Sequence, residues 1–256
     1  MTGEDALAGL ILIIVGLVGV ILYVAITYSM IRMCHEIVGF RFLISQAISD
    51  ILLMIQAMPY LIFSISLFGI WPGLIILCQH ELIPETWRWH LHVYLDFTWW
   101  AMVYHYSIVA WSRWAAVQWP NWFRTLQNGT CVLICLSAWF LGLVQSLVEH
   151  QFQWFEPLYY NPKRYGMDAD WKRYVNDGTA SYYLSLNVAL MVLPFPFYAA
   201  ALAVLFKRQH LKSRPAGRSP SLTPVALTAQ RQLSIETRLL IPCICNTVLF
   251  VVGQVR

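Results

Sequence analysis

ALAGLILIIVGLVGVILYVAITYSMI, residues 6–31, carries no charged side chain. As an α-helix this run is roughly 39 Å long at 1.5 Å per residue, which exceeds the ~30 Å hydrocarbon thickness of a bilayer. A surface helix of a soluble protein keeps one polar face. Here apolar residues occupy every face, so the run reads as a membrane span. The residues before it, Met1-Thr-Gly-Glu-Asp5, are acidic, whereas a cleavable secretion signal starts basic. The run is therefore expected to stay in the mature protein as a signal-anchor.

The rest of the chain repeats the pattern. Hydrophobic residues make up 59% and charged residues 12%, about half the charged share of a soluble domain. A globule of this size has no core large enough to hide that much apolar surface, whereas a bilayer accepts it. Backbone polar groups must be satisfied inside lipid, which leaves helices as the solution. The expectation is an all-α, polytopic transmembrane helix bundle forming one domain over residues 1–256. Its spans fall at about 6–31, 42–70, 89–117, 130–148, 181–206 and 233–254. Two spans contain an acid, Asp50 and Asp96. The fifth is interrupted by Pro194-Phe195-Pro196, which removes backbone donors and predicts a kink. The 12 Trp suit interfaces where an apolar ring meets a polar edge.

Charge sets the expected orientation. With the N-terminus outside, the inner loops together with Arg113 hold 11 of the 17 Lys and Arg, in the sense of the positive-inside rule. Residues 207–232 have the basic, Pro- and Ser-rich composition of a flexible linker. The outer loop 150–180 is rich in aromatic residues, among them Trp154, Phe155 and Tyr174, and is expected to pack as a lid. The sequon Asn128-Gly-Thr130 then lies on the inner side, away from glycosylation. Net charge is only +4, and nothing points to nucleic acid. The six cysteines read as small hydrophobes in helices. His90 and His92 face different ways on a helix, so no metal site is expected. Protease and hydrolase motifs of the HExxH and GxSxG kind are absent from the sequence, so no catalytic residue and no cofactor is assigned.

Three intramembrane charges carry the functional reading. An acid deep in a span is costly and should face protein or water. Asp50 is read as an ion or water site that biases two helix arrangements, with Pro59 nine residues on. Asp96 shares a helical face with Trp99, Trp100 and Val103 and is the candidate ligand contact, where charge and ring faces suit a cation. Its bland alternative is pairing with Arg88 or His92. Arg113 ends the third span, where an arginine alone would snorkel to phosphate.

The spacing around these residues resembles the rhodopsin-like G-protein-coupled receptors. Leu43, Ala47 and Asp50 stand where that superfamily has its second-helix motif. Ser112-Arg113-Trp114, with Ala116, Val117 and Pro120 at the following steps, stands for the end of its third helix. Trp139 stands for the central Trp of its fourth. The run Phe40–Asp50 and Ile235-Glu-Thr-Arg-Leu-Leu240 are closest to the nematode serpentine chemoreceptors of class x. The resemblance covers about residues 8–254. It implies a seven-helix receptor in the plasma membrane, including that of sensory cilia. The receptor would take a small molecule or peptide from outside and meet a heterotrimeric G protein through Ser112, Arg113, Pro120 and Glu236. Trp139, Pro194 and Pro196 would be structural. The chain departs from the pattern at Gly19-Val20, where the family has Gly-Asn, and lacks a cysteine at the outer start of the third helix. No counterpart of the seventh helix follows, so a fragment or degenerate form is expected. The rival reading is a multi-span transporter or a non-signalling membrane protein.

Overall fold

The computed structural model describes residues 3–56, 85–157, 159–161, 166–212 and 238–252. Over these the chain runs α1 (Gly3–Met33), α2 (Gly39–Gln56), α3 (Glu85–Gln118), α4 (Pro120–Arg124) and α5 (Asn128–Glu149). Next come a hairpin of β1 (Tyr159–Asn161) and β2 (Gly166–Asp168), then α6 (Trp171–Asn176), α7 (Thr179–Val192) and α8 (Pro194–Lys212). A final helix, α9, spans Arg238–Val252. The fold is helical throughout, as expected, apart from one small antiparallel hairpin with Tyr159 opposite Asp168.

Three stretches are helical, long and apolar enough to cross a membrane: Ala6–Met33, Asn128–Glu149 and Thr179–Arg208. They account for the first, fourth and fifth expected spans. The second span is described only to Gln56, and Pro59 lies outside the described residues. The third exists as the 34-residue α3, but its Trp, His and charged residues lower its apolarity. The sixth is described as Arg238–Val252, a shorter apolar helix. A seven-helix bundle is therefore not what the described residues display.

The apolar faces of the three long stretches look outward. Ile21, Leu133, Phe140 and Leu184 are between 64 and 69% exposed. In water each such side chain costs about 1.5–3 kcal/mol relative to burial, whereas in lipid the cost vanishes. The same surface that would aggregate a soluble protein is here the solvated one.

α3 occupies the centre of the bundle. Thr98 to Val103 are six consecutive buried residues, possible only for a helix covered on all sides. One apolar cluster gathers Phe42 of α2, Val109 and Ala116 of α3, Phe123 of α4, Cys131 and Cys135 of α5, Tyr198 of α8 and Leu240 of α9. It surrounds the Arg113 end of α3. A second gathers Trp99, Trp100, Val103 and Tyr106 of α3 with Phe155 and Tyr183, and marks the Asp96 end.

The α3–α5 contact is the most extensive among the described elements. α5 buries Cys131, Cys135, Ala138, Gly142, Ser146 and Glu149, a stripe at helical spacing in which Ala, Gly and Ser recur every four residues. Such small residues let helices approach in membranes. At Gly142 a Cβ would lie 2.7 Å from the Ala101 backbone nitrogen and 3.0 Å from the Phe97 carbonyl oxygen, so only glycine fits.

The proline pair interrupts the helix as the sequence implied. α7 ends at Val192 and α8 begins on Pro194, with Leu193 between them still helical in φ and ψ and bonded to Ala189 at 3.2 Å. Neither proline can donate to the preceding turn. Gly178 has φ +99° and turns the chain from α6 into α7, a conformation glycine adopts without steric cost.

Candidate functional site

At the Asp96 end, the carboxylate of Asp96 is buried at 4% exposure. Tyr183 of α7 donates a hydrogen bond to Asp96 Oδ2 at 2.9 Å. His150, just past α5, places Nε2 3.7 Å from the same oxygen, too far for a hydrogen bond. His150 Nδ1 lies 2.9 Å from the Ser146 carbonyl oxygen. A carbonyl only accepts, so Nδ1 carries the proton and donates. Burial lowers the His150 pKa below its ordinary value, opposed by that Ser146 bond. At neutral pH the ring is then uncharged and Nε2 bears a lone pair. Among the described residues Nε2 has no hydrogen-bond partner.

A second carboxylate sits beside the first. Glu149, at 2% exposure, accepts from Trp100 Nε1 at 3.0 Å, Gln145 Nε2 at 2.9 Å and Tyr182 Oη at 2.6 Å. Nothing in the sequence announces this environment for Glu149, because an acid at the edge of a span usually meets water. As the last residue of α5 it turns inward, where three donors replace water. Trp100 also stacks on Tyr183, with ring centroids 5.8 Å apart and planes 6° from parallel. Among the described residues no lysine or arginine forms an ion pair with either acid.

The aromatic loop covers this cluster. Phe155 lies 4.9 Å from the His150 ring and 5.6 Å from that of Tyr183. Its backbone is strapped down at Thr179, whose hydroxyl donates to the Trp154 carbonyl at 2.8 Å and accepts from the Glu156 amide at 3.1 Å. Arg173 of α6 pairs with Glu156 at 3.1 Å and donates to the Gln153 carbonyl at 3.1 Å. Tyr174 of α6 is half-buried here. Burial first, and then the Asp96 charge, pushes its hydroxyl up to about 12.

The residues singled out on α3 separate. Asp96 and Trp100 share the polar cluster through Tyr183. Trp99 turns instead toward Asn187, donating to its Oδ1 at 3.3 Å, and toward the Phe250 ring 5.9 Å away. Val103 is buried in the same apolar cluster. Asp96 thus meets Tyr183 and His150, while the Arg88 side chain of the alternative pairing lies outside the described residues.

Midway along the bundle, Asp50 of α2 is buried and accepts a hydrogen bond from Tyr23 of α1. Near it, Asn246 of α9 donates to Tyr106 Oη of α3 at 3.4 Å. A second polar chain links α2, α3 and α5. Trp139 Nε1 donates to Ser45 Oγ at 3.1 Å, Ser45 Oγ lies 2.8 Å from His105 Nε2, and His105 Nδ1 lies 2.6 Å from the Ala101 carbonyl. One tautomer satisfies all three contacts, with the proton on Nδ1 and Ser45 donating to Nε2. The sequence marked Trp139 but gave no sign of Ser45 or His105 as its partners.

At the Arg113 end, Arg113 does not snorkel. It is 1% exposed and donates to the Gly39 carbonyl of α2 at 2.9 Å. Ser112 is buried beside it and bonded back to the Val109 carbonyl at 2.7 Å. Pro120 opens α4, where its missing N–H goes unneeded. Arg41 ties this end together, donating to the carbonyls of Cys34 at 3.3 Å and Leu126 at 3.1 Å. Glu236 lies outside the described residues. The cysteines Cys34, Cys131, Cys135, Cys243 and Cys245 are free thiols. No group of three or more potential metal ligands occurs among the described residues. No family model matches the chain, and no curated protein matches it.

Proposed function

We propose that this chain is a membrane receptor of the G-protein-coupled kind, chemosensory in role, with its ligand site at the Asp96 end and its signalling surface at the Arg113 end. One observation carries the reading. The single long helix α3 holds both a buried carboxylate under an aromatic lid and, 17 residues further along the chain, a buried arginine tied to the start of α2. A ligand that alters the packing of α3 at one end therefore bears on the Arg113–Gly39 contact at the other. It shifts the balance only as far as it binds one arrangement better.

In this reading the N-terminus faces outside, the membrane is the plasma membrane, and Ser112, Arg113, Pro120 and Glu236 border the G-protein surface. Asp50 and its Tyr23 partner form the element that biases two arrangements. The test uses the full chain in lipid nanodiscs with a purified heterotrimeric G protein. Basal GTPγS uptake should exceed that of empty discs and rise further in Glu236→Arg. Uptake equal to empty discs for both forms overturns the reading.

The transporter reading gains one observation, Glu149, an acid buried among the helices beside Asp96, since intramembrane acids mark ion pathways. Cation uptake into proteoliposomes that is lost in Glu149→Gln favours it over the receptor.

A further inference from the structure

We propose that α4 and the tryptophans around it bind an acidic phospholipid of the leaflet at the Arg113 end, with the lipid phosphate accepting from the indoles of Trp119 and Trp122 and drawn in by the charge of Arg124. The proposal rests on the chain lying in a membrane and is independent of the receptor reading.

The first observation is where the indole N–H groups go. Trp99, Trp100, Trp139 and Trp171 each donate to a side-chain oxygen, of Asn187, Glu149, Ser45 and Asp168 in turn. Trp119 and Trp122 make ring contacts instead, with each other at 6.3 Å and with Trp114 and Trp111 at 4.8 and 6.4 Å between centroids. Among the described residues neither indole N–H has an acceptor. The second observation is how α4 is held. Phe123 is 2% exposed and Leu126 is buried just beyond it, both in the apolar cluster around Arg113. The five-residue helix is thereby pinned by one face and turns Trp119 and Trp122 outward, at 47 and 48% exposure. It ends three residues before the apolar stretch Asn128–Glu149 begins, which places it at the edge of the hydrocarbon. An indole with an open N–H suits that layer, where the ring lies on apolar chains and the donor reaches headgroup oxygens.

Charge decides which lipid. No acid occurs between Asp96 and Glu149, whereas Arg113 and Arg124 fall in that stretch. Arg113 is buried and turned to the Gly39 carbonyl. Arg124 is half-buried on α4 itself, and so stands beside the two open indoles in sequence and in the helix. Arg41 adds a second half-buried charge at this end, bonded to the neutral carbonyls of Cys34 and Leu126. A phosphate group answers the open donors and the positive field together, and hydrogen bonds to an ionised acceptor are the stronger kind. In phosphatidylcholine the quaternary ammonium offsets the phosphate charge. An acidic headgroup keeps its net negative charge and is attracted by the arginines.

The experiment strips the full chain of lipid in a neutral detergent and titrates it with phosphatidylserine or phosphatidylcholine of the same acyl chains, counting bound lipid by native mass spectrometry. Phosphatidylserine should bind roughly fivefold more tightly than phosphatidylcholine. Trp119→Phe combined with Trp122→Phe, which keeps both rings and removes both donors, should weaken phosphatidylserine binding by roughly threefold or more. Trp119→Tyr combined with Trp122→Tyr, which supplies a hydroxyl donor at each position, should recover most of it. Arg124→Gln should remove the preference between the two lipids. Trp171→Phe, at an exposed tryptophan whose N–H is already given to Asp168, should leave binding unchanged. Melting temperatures within a few degrees of the parent establish that the variants are folded; should Arg124→Gln fall short of this, the tryptophan pairs decide. Equal binding of the two lipids, binding unchanged in the phenylalanine pair, or the same loss in Trp171→Phe each overturns the proposal. Soluble glycerophosphoserine bound as tightly as the lipid marks a free-anion site and overturns it as well.

Discussion

Helices α1 and α3 are built on opposite plans. α1 is uncharged from Ala6 to Ile31, yet only 17% of its apolar window is buried. α3 carries Asp96, His92, His105 and Arg113, and every one of these is buried. In water the arrangement would be inverted, because apolar area drives burial there. In a bilayer the acyl chains are as apolar as leucine, so apolarity earns a helix no place in the core. Polar groups do, because only other protein groups can satisfy them. The contrast shows that in this chain the interior is chosen by hydrogen bonding and small-residue packing, and the surface by lipid.

The contrast can be broken most severely at the helix contact. Gly142→Leu drives a side chain into the Ala101 backbone and should cost about 4 kcal/mol or more, seen as loss of the folded monomer in detergent. Gly129→Leu, where a Cβ meets nothing within 4 Å, should change little; equal loss in both would refute close packing of α3 on α5. On α1 the sensitive quantity is lipid contact. Ile21→Lys should raise the insertion cost of the first span by about 3 kcal/mol, measured with glycosylation tags in microsomes, and unchanged insertion would place Ile21 away from acyl chains.

Smaller effects sharpen the account of α3. Ser45→Ala leaves Trp139 Nε1–H without an acceptor and His105 Nε2 without a donor. It should cost about 1 kcal/mol, while Ser137→Ala, whose hydroxyl is exposed and bonded only to its own helix, should be silent in the same thermal assay. The smallest effect is a slope. Burial lowers the His150 pKa, so on acidification the unfolded chain takes up a proton before the folded one does. Stability from this group is present above pH ~6.5 and is lost as pH falls through the folded value. The melting temperature of His150→Phe should therefore fall less between pH 7 and 5 than that of the parent, and parallel curves would show that His150 is solvated.

Much of the first plan was legible in the sequence, because lipid solvates one residue at a time and an unbroken apolar run needs no tertiary partner to be recognised. The Pro194 interruption was equally local. Asp50, Asp96 and Arg113 stood out because charge inside a span demands an explanation. Their partners did not stand out. Tyr183 lies 87 residues from Asp96, and His105 lies 60 from Ser45, and no periodicity links such pairs. Glu149 misled for a related reason: at the edge of a span an acid usually meets water, and its three donors come from α3, α5 and α7. A clue was present in Glu149-His150 closing an apolar run one helix away from Asp96. The hairpin Tyr159–Asp168 has no turn signature of the Asn-Gly kind to announce it.

The central claim, that lipid touches α1 and α5 while α3 is enclosed by protein, is open to one direct measurement. Nitroxide labels placed singly at positions 21, 133 and 105 in nanodiscs report collision with oxygen, which partitions into acyl chains, and with a water-soluble nickel chelate. We predict high oxygen and low nickel accessibility at 21 and 133, and low accessibility to both at 105. High nickel accessibility at 21 and 133, or oxygen accessibility at 105 equal to theirs, would contradict it.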